Sequence, residues 1–253
     1  MVKDKRLQYL IFFSTIFAIL IIWQVSSLLI GESLILPSPI DTINTSFSLL
    51  GTGEFWLALL STLGRSLIAF LLSFLIALLL ANLVNVNKLS GIAIKTIVAI
   101  LRAIPTIAII LLLLLWTNSK VASVVVTMLV VLPTIFNMTI VMYSKVDRDV
   151  LDMCKVFSVS KKNTISKYLI PVILPTMLQT IGSTMSLNIK LIVAAEVLAG
   201  TANSIGNMMS ESKIYFEISR LFALVVIMIL IAVAIELIFN LFAKKVSKKY
   251  GIN

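Results

Sequence analysis

Histidine is absent from this chain, and Cys154 is its only cysteine. Without histidine the sequence lacks the commonest general base, the commonest metal ligand and the side chain that titrates near neutral pH. A single cysteine excludes an intrachain disulfide. Zinc and haem sites and Ser-His-Asp chemistry therefore lose their usual participants. No stretch reads G-x-x-x-x-G-K-[ST], so no phosphate-binding loop is present. Charge is scarce as well, at 13% of residues, with 11 acidic against 21 basic side chains and a net charge of +10. Such an excess suits nucleic acid, anionic lipid or an acidic partner. The basic residues sit in short segments between apolar runs and are not interleaved with aromatics. This excludes a nucleic-acid surface and points to membrane lipid.

What the chain has in abundance is apolar surface. Hydrophobic residues make up 60% of the sequence, where soluble domains have roughly 45–50%, and the mean hydropathy is +1.11. The excess is organised as long runs, as bilayer spanning requires. Six runs are legible, at residues 7–30, 57–84, 91–116, 121–143, 170–198 and 218–243. The first is too long for a signal-peptide core and no small-x-small cleavage site follows it, so it is expected to remain as a helix. Pro105 and Pro133 fall inside spans and predict kinks.

The connections are uneven in charge. Residues 1–6, 85–90, 144–169 and 244–253 carry fourteen Lys or Arg, whereas 31–56, 117–120 and 199–217 carry two. The positive-inside rule then places both termini and the 144–169 loop in the cytoplasm. Leu36-Pro37-Ser38-Pro39 cannot continue the first helix, and Ser38-Pro39-Ile40-Asp41 can open a short helix outside. The expected fold class is all-α integral membrane, with about six transmembrane helices in a bacterial cell membrane. It divides into residues 1–56, the first helix and an outer connection, and residues 57–253, a core with five helices. No internal repeat is visible, which disfavours an inverted-repeat carrier.

Residues 144–169 are too long for a turn. Val146, Val150, Met153, Cys154 and Phe157 recur at helical spacing on one face, and a second amphipathic stretch runs from Val159 to Leu169. Two short helices with a bend at 158–160 are expected. An interfacial helix on anionic lipid and a docking knob for a cytoplasmic partner both fit this pattern.

The run Asp152-Met153-Cys154-Lys155-Val156-Phe157-Ser158, then nine residues, then Tyr168-Leu169-Ile170-Pro171, resembles the EAA loop of binding-protein-dependent ABC transporter permeases. Asp152 stands where that family usually has Glu, and Ser158 where it has Gly. Leu36-Pro37-Ser38-Pro39, Ser61-Thr62-Leu63-Gly64-Arg65, Arg102-Ala103-Ile104-Pro105-Thr106 followed by Trp116, and Ala194-Ala195-Glu196 followed by Gly206 resemble further segments of the nitrate/sulfonate/taurine-type permeases, in order. The resemblance implies the translocating subunit of an ATP-driven importer, with no catalytic residue and no cofactor of its own. It also implies two ATP-binding subunits that hold ATP and Mg, a second permease copy, and an extracellular or periplasmic solute-binding protein. Asp152, Met153, Cys154, Phe157, Ser158, Tyr168 and Pro171 are then expected to couple to the ATPase.

Charges inside the apolar runs are costly, at about 2.5–3.5 kcal/mol each on insertion scales, and invite a role. Arg102 is within reach of the cytoplasmic surface by snorkelling, and Arg65 of the outer one. Ser186, Asn188 and Lys190 place polar groups in the fifth span, with Ser186 and Lys190 four apart on one face. Arg102, Pro105, Ser186, Asn188, Lys190 and Glu196 are therefore expected along the translocation path, with Lys190 favouring a small anion such as a sulfonate or nitrate-like compound. An ion-coupled carrier would need carboxylates deep in several spans, for which Glu196 and Glu236 are the candidates. An intramembrane enzyme would need a nucleophile and base at depth, for which Ser186 with Lys190 is the one arguable pair.

Overall fold

The computed structural model describes residues 5–84 and 87–250. Lys3 and Asp4 of the basic N-terminal segment and Asn85 of the 85–90 loop lie outside the described residues. Within them the chain is helical, with no strand. In order the helices are α1 (Lys5–Ile30), α2 (Pro39–Leu50), α3 (Gly53–Val84), α4 (Lys88–Ala103), α5 (Thr106–Trp116), α6 (Ser119–Ser144), α7 (Arg148–Val156), α8 (Lys161–Thr164), α9 (Ile170–Ala199), α10 (Ile205–Ile214) and α11 (Ile218–Tyr250). A π-helical segment, Ile165–Leu169, joins α8 to α9.

Five helical stretches are long and apolar enough to cross a bilayer: Leu10–Ile30, Gly53–Val84, Ser119–Ser144, Lys161–Ala199 and Ile218–Tyr250. The sixth expected span is not one helix. α4 and α5 meet at 92° across Ile104 and Pro105. Proline disfavours the helical region for the residue before it, and Ile104 is extended, with ψ 127°. Pro105 then opens α5, where its missing N–H costs nothing. Pro133 behaves differently. It lies buried inside an uninterrupted α6, where the Ser73 hydroxyl of α3 donates to the carbonyl of Met128, five residues upstream.

α9 is the centre of the bundle and packs on α11, α6, α3 and α10. Lipid gives apolar helices little hydrophobic reason to associate, so close approach through small side chains takes over. The buried side of α3 carries Ala58, Thr62, Ser66, Ala69, Ser73, Ala77 and Ala81, three or four residues apart. This seam admits α6 and α9, and the larger residues Phe70, Val131, Leu132, Ile135 and Phe136 fill the space beside it. A second cluster at the other end joins Phe55, Ile189, Ile192, Ile205, Met208 and Leu224 from α3, α9, α10 and α11. At Gly182 of α9 an added Cβ would stand 2.6 Å from Cβ of Phe239, so only glycine admits α11 there.

Two connections are more structured than their composition suggests. α2 starts as anticipated, with Ser38 capping the Asp41 N–H and Pro39 in its first turn. The polar segment 199–217 contains α10, whose Ile205, Gly206, Met208, Met209 and Ser212 are buried. α1 is exposed along almost its whole length. It is held towards its C-terminal end, where Trp23 Nε1 donates to the Pro37 carbonyl and stacks obliquely near Phe222, and Ser27 donates to the Leu36 carbonyl.

Widening the seam should be costly. Ala77→Leu is expected to destabilise the bundle by about 1–3 kcal/mol, the usual cost of overpacking. Leu75→Ala, on the exposed side of the same helix, should change stability by less than about 0.5 kcal/mol. Thermal unfolding of the purified protein in detergent compares the two.

Candidate functional site

The 144–169 loop folds as two helices. α7 is capped at its start by Asp147, whose carboxylate accepts from the Asp149 N–H. It ends at Phe157, and the chain reverses at Ser158, where φ is +52°. That is the left-handed region, which strains any residue with a side chain and accounts for glycine as the usual residue there. The Ser160 hydroxyl then caps α8. Tyr168 anchors the far side of the loop: its hydroxyl accepts from the Asp147 N–H at 2.9 Å and lies 3.4 Å from the Asp147 carbonyl. Pro171 is buried at the start of α9.

The anticipated apolar face of α7 is only partly covered. Val150 and Cys154 are half-buried, while Met153, Val156 and Phe157 are 57%, 79% and 73% exposed. Asp152 is exposed and pairs with Lys155 at 2.7 Å, one turn along. α7 thus presents a rigid, capped, nine-residue helix with uncovered apolar side chains, outside the stretches long enough to span a membrane.

The intramembrane charges are arranged otherwise than the sequence suggests. Arg65 does not reach outward to water. Its Nε and Nη2 donate to Oε1 of Glu196 at 2.8 and 2.7 Å, joining α3 to α9. Oε2 of Glu196 accepts from the Thr62 hydroxyl at 2.9 Å and the Gly206 N–H at 3.4 Å. Thr62 in turn accepts from the Ile205 N–H, and Arg65 Nη2 also donates to the Asn203 carbonyl. The Glu196 side chain is 0% exposed, and both of its oxygens have partners. This node fastens α10 to both helices. Gly206 is required for it, since an added Cβ would lie 2.4 Å from Cβ of Glu196 and 2.8 Å from the Val193 carbonyl. The clue available in the sequence was two opposite charges in different apolar runs. A partner for Glu196 sought on its own helix leads only to Lys190.

The other path candidates are dispersed. Asn188 is buried, and its Nδ2 donates to the Ser66 carbonyl and hydroxyl on the α3 seam. Ser186 is also buried. Lys190 is exposed and lines an open groove of about 440 Å³ with Val193, Val197, Met209, Val225 and Met228. Arg102 stands exposed in the last turn of α4, and Pro105 is exposed at the break. A nucleophile beside a base is not assembled among these residues, because Ser186 is buried and Lys190 faces outward. Among the described residues no group of three or more Cys, Asp or Glu side chains is placed to hold a metal.

Residues 69–249 match the family described as "Binding-protein-dependent transport system inner membrane component". A putative aliphatic sulfonates transport permease protein, SsuC of Bacillus subtilis (strain 168), is 25% identical over 236 residues, covering 91% of this chain and 84% of that protein. The fold is shared with an inward-facing MetNI methionine ABC transporter, at a TM-score of 0.62 and 16% identity over 76% of this chain and 97% of that one. It is also shared with an amino acid ABC transporter crystallised with histidines, at a TM-score of 0.60 and 16% identity over 78% of this chain and 94% of that one.

The buried ion pair makes a sharp prediction. Glu196→Gln keeps the shape but leaves Arg65 without a counter-charge, and should destabilise the protein by about 3–5 kcal/mol. Adding Arg65→Met removes the orphan charge, while the introduced amide oxygen still accepts from Thr62 and Gly206, so the double variant should regain most of the loss. Unfolding midpoints of the three proteins in one detergent measure this.

Proposed function

The chain belongs to the family of binding-protein-dependent transport system inner membrane components, and from that membership we propose how its parts divide the work of an ABC importer. It is a multi-pass membrane permease of the nitrate/sulfonate/taurine type. The end that carries α7 and the lysines 244–249 faces the cytoplasm. There α7 docks into a separate ATP-binding subunit, with Met153, Val156 and Phe157 as the apolar contacts and Ser158 setting the turn behind them. Two such subunits, holding ATP and Mg, serve two permease copies, and a binding protein delivers the solute at the opposite end.

The observation that carries this reading is the exposed apolar face of α7 on a helix rigidly capped at both sides. A helix meant to lie on lipid would spread cations along the polar flank of that face. α7 instead carries Asp149 and Asp152 beside Arg148 and Lys155, a mixed surface suited to a protein groove. An ion-coupled carrier is disfavoured because Glu196, one of its two candidate carboxylates, is committed to Arg65.

For the cargo we favour a small sulfonate-like anion. Lys190 is the observation behind it: a cation on α9, exposed in an apolar groove and paired with none of the acidic groups whose ion pairs are described above. A desolvated anion needs such a partner.

Purification in mild detergent from the native membrane should bring down a stoichiometric ATPase, identified by mass spectrometry. Phe157→Asp should abolish its capture while leaving the permease folded; a lone permease that still moves solute would overturn the reading. In reconstituted vesicles Lys190→Gln should raise the KM for ethanesulfonate with little change in kcat, and unchanged kinetics would remove Lys190 from the path.

A further inference from the structure

A cavity of about 180 Å³ lies between α3, α6 and α9, just inside the end that carries α7. Its walls include Phe74 of α3, Ile135 and Tyr143 of α6, and Ile173, Met177 and Thr180 of α9. The lining is apolar apart from a few hydroxyls. A space with this lining offers water few partners, and unfilled apolar volume costs stability in proportion to its size. Its position is informative. α6 enters the α7 loop and α9 leaves it, so the cavity separates the two helices that hold the loop.

Three further observations make those helix ends movable. Each has a proline beside the cavity: Pro133 two residues before Ile135, and Pro175 two residues after Ile173. Proline deletes a ladder hydrogen bond and leaves a natural bending point. The π-helical segment Ile165–Leu169 adds a second soft point below α9, of a kind often found at functional sites. Near the cavity the side-chain hydrogen bonds between these helices are exposed, Tyr143 with Asn82 at 2.8 Å and Lys145 with Thr176 at 3.2 Å. Water replaces such contacts at little cost. Tyr168 joins the start of the α7 loop to its end through its bond with the Asp147 N–H.

We propose that this cavity is working volume: the inner ends of α6 and α9 bend at Pro133 and Pro175 to close into it, and so convert movement of α7 into movement of the spans. The link to α7 movement rests on the ATPase-docking reading above, whereas closure into the cavity does not.

Hydrostatic pressure favours states with less void volume and needs neither partner nor solute. In a Cys154→Ser background, spin labels at Ser144→Cys and Ile170→Cys report the distance between the two helix ends in lipid nanodiscs. The distance should shorten under pressure in this protein and in Thr180→Val, which changes no volume. It should not shorten in Thr180→Phe or in Ile173→Phe, which fill the cavity from two different turns. In vesicles carrying the whole transporter, Thr180→Phe should lower ATP-driven ethanesulfonate uptake by about tenfold relative to Thr180→Val, in line with an overpacked closed state. No pressure response in the unfilled proteins overturns the proposal, as does equal uptake by filled and unfilled variants. A wild-type chain that captures no ATPase defeats the docking reading instead, and is recognised before any variant is compared.

Discussion

Helices in lipid are brought together by fit and by the need to satisfy polar groups, since the surrounding chains are as apolar as leucine. The seam of alanine, serine and threonine along α3 answers that constraint, and the architecture follows from it. Because the seam is narrow, α6 and α9 lie close enough for Ser73 to bond the backbone of α6 and for Asn188 to bond that of α3. Because α9 is drawn in, Glu196 comes within reach of Arg65. Because that pair is made, the segment after α9 can fold inward as α10, with Gly206 pressed against the Glu196 side chain. Each step depends on the one before, from a helix surface with almost no side chain to an ordered outer end.

The two ends of the bundle are built on different principles. At the end that carries α10, buried and charge-assisted bonds fix α3, α9 and α10 to one another. At the other end the side-chain hydrogen bonds between the helices, Tyr143 with Asn82 and Lys145 with Thr176, are exposed, and the spans contain prolines, a π-helical segment and a cavity. The sparsely bonded end is the one with room for its helices to shift. The α7 helix sits there, with its cap, its strained Ser158 turn and its uncovered Phe157.

Much of this was legible in the sequence because membrane spanning leaves a coarse signal. Five of six spans, the helix opened by Ser38, the bend at Ser158 and the family resemblance all follow from run length, capping chemistry and residue order. What escaped was of another kind. The third span reads as one largely apolar run, and hydropathy does not distinguish a kink from the 92° break at Pro105; the surroundings of a proline decide that, as the intact helix around Pro133 demonstrates. α10 was hidden because it is short and its buried Ile205, Met208 and Met209 are set among Gly, Asn, Ser, Glu and Lys, so its composition resembles a loop. The Arg65–Glu196 pair was hidden because its members lie on different spans, and the depth of each charge is fixed only when the helices are placed. Lys190 stood out in the sequence as an intramembrane cation, yet whether it faced a neighbour or the outside depended on the rotation of α9, which its mixed periodicity left open.

The ion pair also has a history within each molecule. Arg65 and Glu196 are 131 residues apart, and at about 5–20 residues per second of synthesis the arginine precedes its partner by roughly ten seconds. Throughout that interval a guanidinium intended for a dry interface has no carboxylate to meet. α3 is apolar enough to enter the bilayer alone, but the contact that fixes its Arg65 end is completed only when α9 arrives. The last third of the chain thus supplies the partner that fixes α3, and a ribosome that stalls before Glu196 leaves behind a membrane protein whose earlier spans are present and whose Arg65 is without that carboxylate.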